Sequence, residues 1–354
     1  MKKQLSIITS AVILSSSFAY GADSIDEAFK SGSVSGSLTA YGIEHDGKGG
    51  NSDETAGFGT INLGYETAGY KGFSAKAAFE AGHAFNDATL DNDALMTEAY
   101  IRYGNDMFSL TVGRQAIDLE WLGDYNEAVV AGITAIPDTT ITLGYVNQQT
   151  AADEDEIGEF EELTEDGLYV VDAKYTGFEG VELNPYVYSA PDVADFYGFK
   201  ATYSSDMFGL VAQYAASSED IGSDGSIGHA EISTGIAGIS AAVGYIKTDD
   251  TAGVGSIAIY GDNITPFDNG DDTYATDAKT AYGSLGYTLA GVELGALYGE
   301  TDFDANSESS ELNLMAGYSF TDSLSLGLLF VDYDLEGSST SDYKEYSATL
   351  AYSF

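Results

Sequence analysis

The stretch YSATLAYSF, residues 346–354, alternates two kinds of side chain up to its last residue. Tyr346, Ala348, Leu350, Tyr352 and Phe354 are apolar or aromatic, whereas Ser347, Thr349, Ala351 and Ser353 are small or polar. A period of two is that of a β-strand whose faces meet different surroundings. Chain ends usually fray, yet this strand runs onto a phenylalanine with no polar tail. The reading it invites is a strand that closes something.

The same alternation recurs upstream. FSAKAAFEA (73–81) places Phe73, Ala75, Ala77, Phe79 and Ala81 on one face and Ser74, Lys76, Ala78 and Glu80 on the other. GLYVVDAKYT (167–176) opposes Tyr169, Val171, Ala173 and Tyr175 to Asp172 and Lys174. ADFYGFKATYS (194–204) and ELNLMAGYSF (311–320) repeat it. Such a face is the core of a sandwich or the lipid face of a membrane barrel whose lumen takes the polar residues.

The connections separate these readings. Short ones, such as YETAGYKGF (65–73), YGNDMF (103–108), YSSDMF (203–208), IAGI (236–239) and LAGV (289–292), alternate with long acidic ones, such as AADEDEIGEFEELTED (151–166) and the segment 249–277. Aromatic residues flank several short turns. A sandwich has no reason to keep short turns on one side, whereas an outer-membrane barrel has short inner turns, long external loops and aromatic girdles. The chain divides into about eighteen strands, near 32–43, 56–66, 73–82, 95–104, 107–115, 127–136, 140–148, 167–176, 181–189, 194–204, 207–216, 227–236, 239–248, 279–288, 291–300, 309–320, 324–334 and 343–354, with sixteen as the rival count. The fold class expected is all-β, a transmembrane antiparallel β-barrel wide enough to hold water.

Composition agrees. The 354 residues include 42 Gly, 26 Tyr and 17 Phe, but 4 Pro, 1 Trp and no Cys. Gly with aromatic residues suits strands and tight turns, and the missing cysteine excludes a disulfide scaffold or thiol chemistry. Residues 1–21 read as a signal peptide: Lys2 and Lys3, then Ile7, Ile8, Ala11, Val12, Ile13 and Leu14, then small residues at Ala19 and Gly21. That apolar run is too short for a spanning helix. Residues 22–354 read as one barrel domain, with 22–31 a short periplasmic leader. The formal charge is -44, which excludes nucleic-acid binding by phosphate neutralisation and suits acids on loops bathed in water and cations.

SIDEAFKSGSVSGSLTAYG (24–42) resembles the start of OprD-type (Opr family) outer-membrane porins, and TVGRQAIDLEWLGDY (111–125) resembles that family's passage from a strand into the loop that enters the pore. Asp118-Leu119-Glu120 stands where the family pattern often continues with Thr-Pro. The resemblance implies an eighteen-stranded diffusion channel, monomeric or homotrimeric, in the outer membrane of a Gram-negative bacterium.

If apolar faces meet lipid, the pore-lining residues are Lys76, Glu80, Glu98, Arg102, Asp172, Lys174, Lys200 and Glu231, a mixture of charges that filters ions by sign. The third external loop, roughly 115–127, supplies Asp118, Glu120, Asp124 and Glu127 and, on the resemblance, folds into the barrel as a constriction. Arg114 has lipid-face parity at a strand's outer end; it either turns inward at a bulge and anchors that loop or lies at the interface. With the acidic loops, a cation preference is expected. Tyr346, Leu350, Tyr352 and Phe354 resemble the terminal signal by which outer-membrane proteins are recognised for assembly. The partners expected are outer-membrane lipid and lipopolysaccharide (Lys247 and Lys344 lie near outer strand ends), the assembly machinery and small hydrophilic solutes.

Enzyme readings fare worse. DEDE (153–156) and DNGDD (268–272) lack EF-hand spacing. His45, His83 and His229 form no His-x-x-x-His pair, and no Gly-x-Ser-x-Gly elbow occurs. No catalytic residue, metal or cofactor is expected. The alternatives to a porin are an outer-membrane receptor or barrel enzyme, and a secreted soluble β-rich adhesin.

Overall fold

The computed structural model describes residues 22–47, 53–86, 88–256, 264–304, 307–337 and 341–354. The signal-peptide segment, 1–21, lies outside the described residues. A short helix, α1 (Ile25–Lys30), precedes nineteen strands. They are β1 (Ser33–Gly47), β2 (Glu54–Glu66), β3 (Phe73–Phe85), β4 (Ala94–Gly104), β5 (Phe108–Ala116), β6 (Tyr125–Ile133), β7 (Thr139–Thr150), β8 (Glu161–Glu162), β9 (Leu168–Phe178), β10 (Val181–Ala190), β11 (Ala194–Ser204), β12 (Phe208–Glu219), β13 (Ser226–Ile236), β14 (Ile239–Thr248), β15 (Lys279–Leu289), β16 (Val292–Phe303), β17 (Ser307–Ser319), β18 (Leu324–Leu335) and β19 (Tyr343–Ser353). β8 is a two-residue ladder on Gln148 and Gln149 of β7. The other eighteen form the wall, each antiparallel to its chain neighbour, and β1 pairs with β19. The count is eighteen, not sixteen.

The seam is where YSATLAYSF lies. Ser37 faces Ser353, Leu38 faces Tyr352 and Ala40 faces Leu350. Beyond the ladder, the Gly36 amide donates to the Phe354 carbonyl and the Phe354 amide to the Gly36 carbonyl, both at 3.0 Å. A sheet closed on itself leaves no unpaired edge in lipid. Tyr346, Leu350, Tyr352 and Phe354 all lie on the exposed outer face, with Tyr352 and Phe354 stacked at 6.2 Å.

Turn chemistry sets the inner rim. Lys71-Gly72, Ala237-Gly238 and Ala290-Gly291 each hold two consecutive residues at positive φ, the type I′ geometry whose twist matches a hairpin. At Gly72 the requirement is steric as well, since an added Cβ would lie 2.7 Å from the Gly104 carbonyl. Elsewhere a side chain closes the turn: Asn105 Oδ1 accepts from the Met107 and Phe108 amides at 2.9 and 3.1 Å, and Thr321 Oγ1 accepts from those of Ser323 and Leu324. At the other rim the connections are not uniformly long, because β10 and β11 are joined by residues 191–193 alone. The adjacent Ala190, Ala194 and Phe196 are buried, so this stretch packs inward and needs no long loop.

α1 is capped by Ser24, whose Oγ accepts from the Glu27 amide at 3.2 Å, while Glu27 accepts from the Asp23 amide at 2.8 Å. This is a capping box displaced by one residue, the returning bond coming from Asp23 rather than from the N-cap Ser24. The Ala68 amide and the Tyr65 hydroxyl bond the Ala28 and Phe29 carbonyls, docking the helix on the β2–β3 turn.

Candidate functional site

Along most wall strands exposed, mainly apolar side chains alternate with more buried ones, both polar and apolar. On β9, Tyr169 and Val171 face out while Leu168, Val170 and Asp172 are buried. The eight wall residues expected at the pore all have inward parity. Lys76 pairs with Glu98 across β3 and β4. Glu80 accepts from the Asn62 amide at 2.6 Å. A one-residue register shift in the β3–β4 ladder lets Leu95 and Glu98 share the inner face. Arg102, 8% exposed, lines with Ser109, Thr111, Gln115 and Thr142 a cavity that Ile117 and Leu119 also line. Asp172 accepts from Asn184 at 3.0 Å and from the Tyr188 hydroxyl at 3.4 Å, with Lys174 two residues along the same face.

Residues 117–124, between β5 and β6, fold into the lumen. Ile117, Leu119, Trp121 and Leu122 are buried, although nothing but a loop carries them. Trp121 Nε1 donates to the Tyr186 hydroxyl of β10 at 3.0 Å. The Glu120 carboxylate takes a two-pronged contact from Lys200 Nζ of β11, at 3.1 and 3.0 Å, and a 3.2 Å bond from Gln213 Nε2 of β12. Gln213 also donates to Tyr186 at 3.1 Å. The loop therefore leaves the wall between β5 and β6 and is fastened further round it, to β10, β11 and β12, so it narrows the path of a solute. Asp118 is exposed. Asp124 closes the loop at positive φ, and its burial, with the Glu156 carboxylate nearby, pushes its carboxyl above the usual range.

Arg114 and Glu127 are placed elsewhere. Their parity is outward on β5 and β6, where Arg114 Nε meets Glu127 Oε2 at 3.3 Å and the guanidinium lies 4.1 Å from the Phe160 ring centre. Loop 151–167 thus lays an aromatic ring over an outward ion pair. A partner on the same face makes an inward turn unnecessary, and no constriction residue comes from this pair. Lys247 and Lys344 also have outward parity near outer strand ends, Lys344 3.5 Å from Asp332.

Sequence reasoning placed 249–277 outside as a solvated acidic loop; its described part enters the barrel. Val254, Ile264 and Phe267 are buried. Glu311 of β17 accepts from the Asn269 and Gly270 amides at 3.0 and 3.2 Å. Asp272 accepts from the Tyr333 hydroxyl of β18 at 2.6 Å. Tyr274 meets Trp121 edge-on with ring centres 6.4 Å apart, so the two inward loops touch. Tyr186, Gln213, Tyr282, His229 and this loop were missed. The readable signal was a lone tryptophan between leucines in an acidic segment, and apolar residues spaced through 249–277. Among the described residues no group of His, Cys, Asp and Glu is arranged to hold a metal ion.

The family model described as "Putative outer membrane protein" matches residues 19–208. No curated protein sequence matches the chain. Among solved structures, OpdQ of Pseudomonas aeruginosa superposes with a TM-score of 0.78 at 16% identity, covering 93% of this chain and 99% of that one. A BenF-like porin from Pseudomonas fluorescens Pf-5 gives 0.78 at 12% identity, covering 92% and 99%. OccAB4 of Acinetobacter baumannii gives 0.75 at 15% identity, covering 91% and 98%. At these identities the likeness is one of fold, and that fold is the eighteen-stranded barrel.

Proposed function

The chain belongs to this family of outer-membrane proteins, and on that premise we propose that it is a porin, a water-filled channel for passive diffusion of small hydrophilic solutes and ions. The observation that carries the reading is the loop 117–124, folded into the lumen and tied at Glu120 to Lys200. A structural barrel has no use for a fastened obstruction inside it, whereas a channel uses one to set size and charge limits. Solutes move down their gradient, around the loop and past the wall charges.

The preference is for cations, and it is modest. Of the four carboxylates first assigned to the constriction, Glu120 is neutralised by Lys200, Glu127 stands outside the wall with Arg114 and Asp124 is shielded. The sign then rests on Asp118, on wall carboxylates such as Glu80 and Glu231, and on a surplus of 57 acidic over 13 basic residues, most of it on the loops. Outward Lys247 and Lys344 sit where anionic headgroups of the outer leaflet lie. Residues 22–31 form the periplasmic leader, and the Phe354 end is the mark read at assembly.

Planar-bilayer recording in a KCl gradient tests this. Stepwise conductance with a reversal potential on the cation side is expected. A detergent-independent soluble monomer, or a protein that inserts and does not conduct, overturns it.

A further inference from the structure

At the inner rim, α1 leaves two large apolar side chains uncovered. Ile25 is 62% exposed and Phe29 59%, although both stand within one turn of the buried Ala28. Helix positions three and four apart share a side, so Ile25, Ala28 and Phe29 form one apolar stripe. Asp26, Glu27 and Lys30 fill the rest of the turn. The helix docks at Ala28, whose carbonyl accepts from the Ala68 amide at 3.0 Å. A helix of six residues does not hold itself together in water. Its cap at Ser24 and its bonds to the β2–β3 turn form it in advance of any partner.

Tyr65 shows which side of the wall the helix belongs to. On β2 the outward parity runs through the exposed Ile61 and Leu63 to Tyr65. The Tyr65 hydroxyl donates to the Phe29 carbonyl, and a Cβ on Gly32 would collide with the same hydroxyl. The end of α1 and the residues leading into β1 therefore gather around the tip of an outward side chain. At the same rim Val34, Phe73 and Phe354 are exposed on the outer face of β1, β3 and the chain end, with Phe73 against Tyr103 at 4.9 Å. Ile25 and Phe29 continue that belt. We propose that α1 lies in the headgroup region of the periplasmic leaflet, with Ile25 and Phe29 dipped into lipid, and so pins β1 beside the seam. The occupant is lipid because the stripe is continuous with a surface that lipid already covers. Amphipathic helices with such a stripe settle at the boundary between headgroups and acyl chains. Lys30 meets the lipid phosphates, and Asp26 and Glu27 stay in water. The inference needs only the membrane barrel and is independent of conduction through the lumen.

The chain has one tryptophan, Trp121, buried in the lumen, so a second one reports its own surroundings. Phe29→Trp keeps a large apolar ring on the stripe, and Lys30→Trp puts one on the charged side. Each full-length variant, first shown to migrate as a heat-modifiable barrel, is reconstituted in phosphatidylethanolamine–phosphatidylglycerol vesicles, with and without lipid brominated near the headgroup end of its acyl chains. The emission added by Phe29→Trp should fall roughly twofold with bromine and resist aqueous iodide. That added by Lys30→Trp should be quenched by iodide and spared by bromine, and wild-type emission should not respond to bromine. A Phe29→Trp emission that iodide quenches and bromine does not overturns the proposal. One that neither quencher reaches also overturns it, since a protein surface then covers the stripe. Equal quenching of both variants by bromine overturns the assigned orientation. Absence of conductance from the same vesicles removes the porin reading and leaves the proposal for α1 standing.

Discussion

Truncating Trp121 to alanine should release the loop that folds into the lumen. The side chain is 1% exposed and makes one hydrogen bond, to Tyr186. Removing a fully buried tryptophan costs about 3–5 kcal/mol. The Glu120–Lys200 pair, with its lysine 24% exposed, is left in place by this substitution. The loss of the tryptophan alone shifts the docked-to-free equilibrium by roughly two to four powers of ten. Trp121→Phe keeps most of the burial and loses the indole N–H, at about 1 kcal/mol, a shift of roughly fivefold. In single-channel recordings Trp121→Ala should show larger unitary conductance with rapid current noise, and Trp121→Phe wild-type conductance with brief excursions. The wall strands carry no part of this residue, so gel migration should not change. Wild-type conductance and noise in Trp121→Ala would refute the reasoning, as would two variants of equal severity.

Three further outcomes are expected. Crowding within loop 151–167 and the neighbouring Asp155 and Glu154 carboxylates push the Asp153 carboxyl up to about 7; the folded loop holds that proton more tightly than a free aspartate, so loop order should be greatest at low pH and fall as pH rises through about 7. Asp153→Asn should abolish that dependence, and hydrogen exchange of the loop at pH 5 and pH 8 would show it; a pH-dependence kept by the variant counts against it. Gly113→Ala should destabilise the barrel by about 2–3 kcal/mol, because Gly113 sits at φ 123 with a Cβ that would fall 2.2 Å from the Ala99 carbonyl; an unaltered temperature for the heat-induced gel shift contradicts this. Deleting Phe354 removes both bonds to Gly36 and should lower the amount of inserted protein while sparing conductance per channel; normal surface levels would sink that prediction.

Much of the wall was legible because a barrel writes its faces directly into the chain. Each expected strand overlaps an observed one, and the inner turns announced themselves as Gly beside aromatic residues. Arg114's outward parity could also be counted off, though its partners could not. What stayed hidden depends on register between strands. That Tyr186 lies over Gly198, whose added Cβ would meet the ring at 2.4 Å, and so reaches Trp121 and Gln213, follows from pairings that alternation does not specify. Tyr282 lies far along the chain from His229 and Glu231 and meets them for the same reason. Loop 249–277 misled because its aspartates suggested solvent, while the wall holds one of them, Asp272, from inside through the Tyr333 hydroxyl.

The seam between β1 and β19 has a consequence for how the molecule is made. Wall strands bond to their neighbours in sequence, so the sheet can be assembled hairpin by hairpin, each step closing a short loop. One ladder joins residue 37 to residue 353. Loop-closure entropy grows only as the logarithm of length, so joining two ends of a chain this long costs roughly 5 kcal/mol, and that cost falls on a single event. Kinetically, the curled but unsealed sheet is the natural late intermediate, with the serine-rich edges at Ser33–Ser37 and Ser347–Ser353 awaiting one another. Contact order is low along the chain and high at one rung, and a slow final phase of refolding in detergent should report that rung.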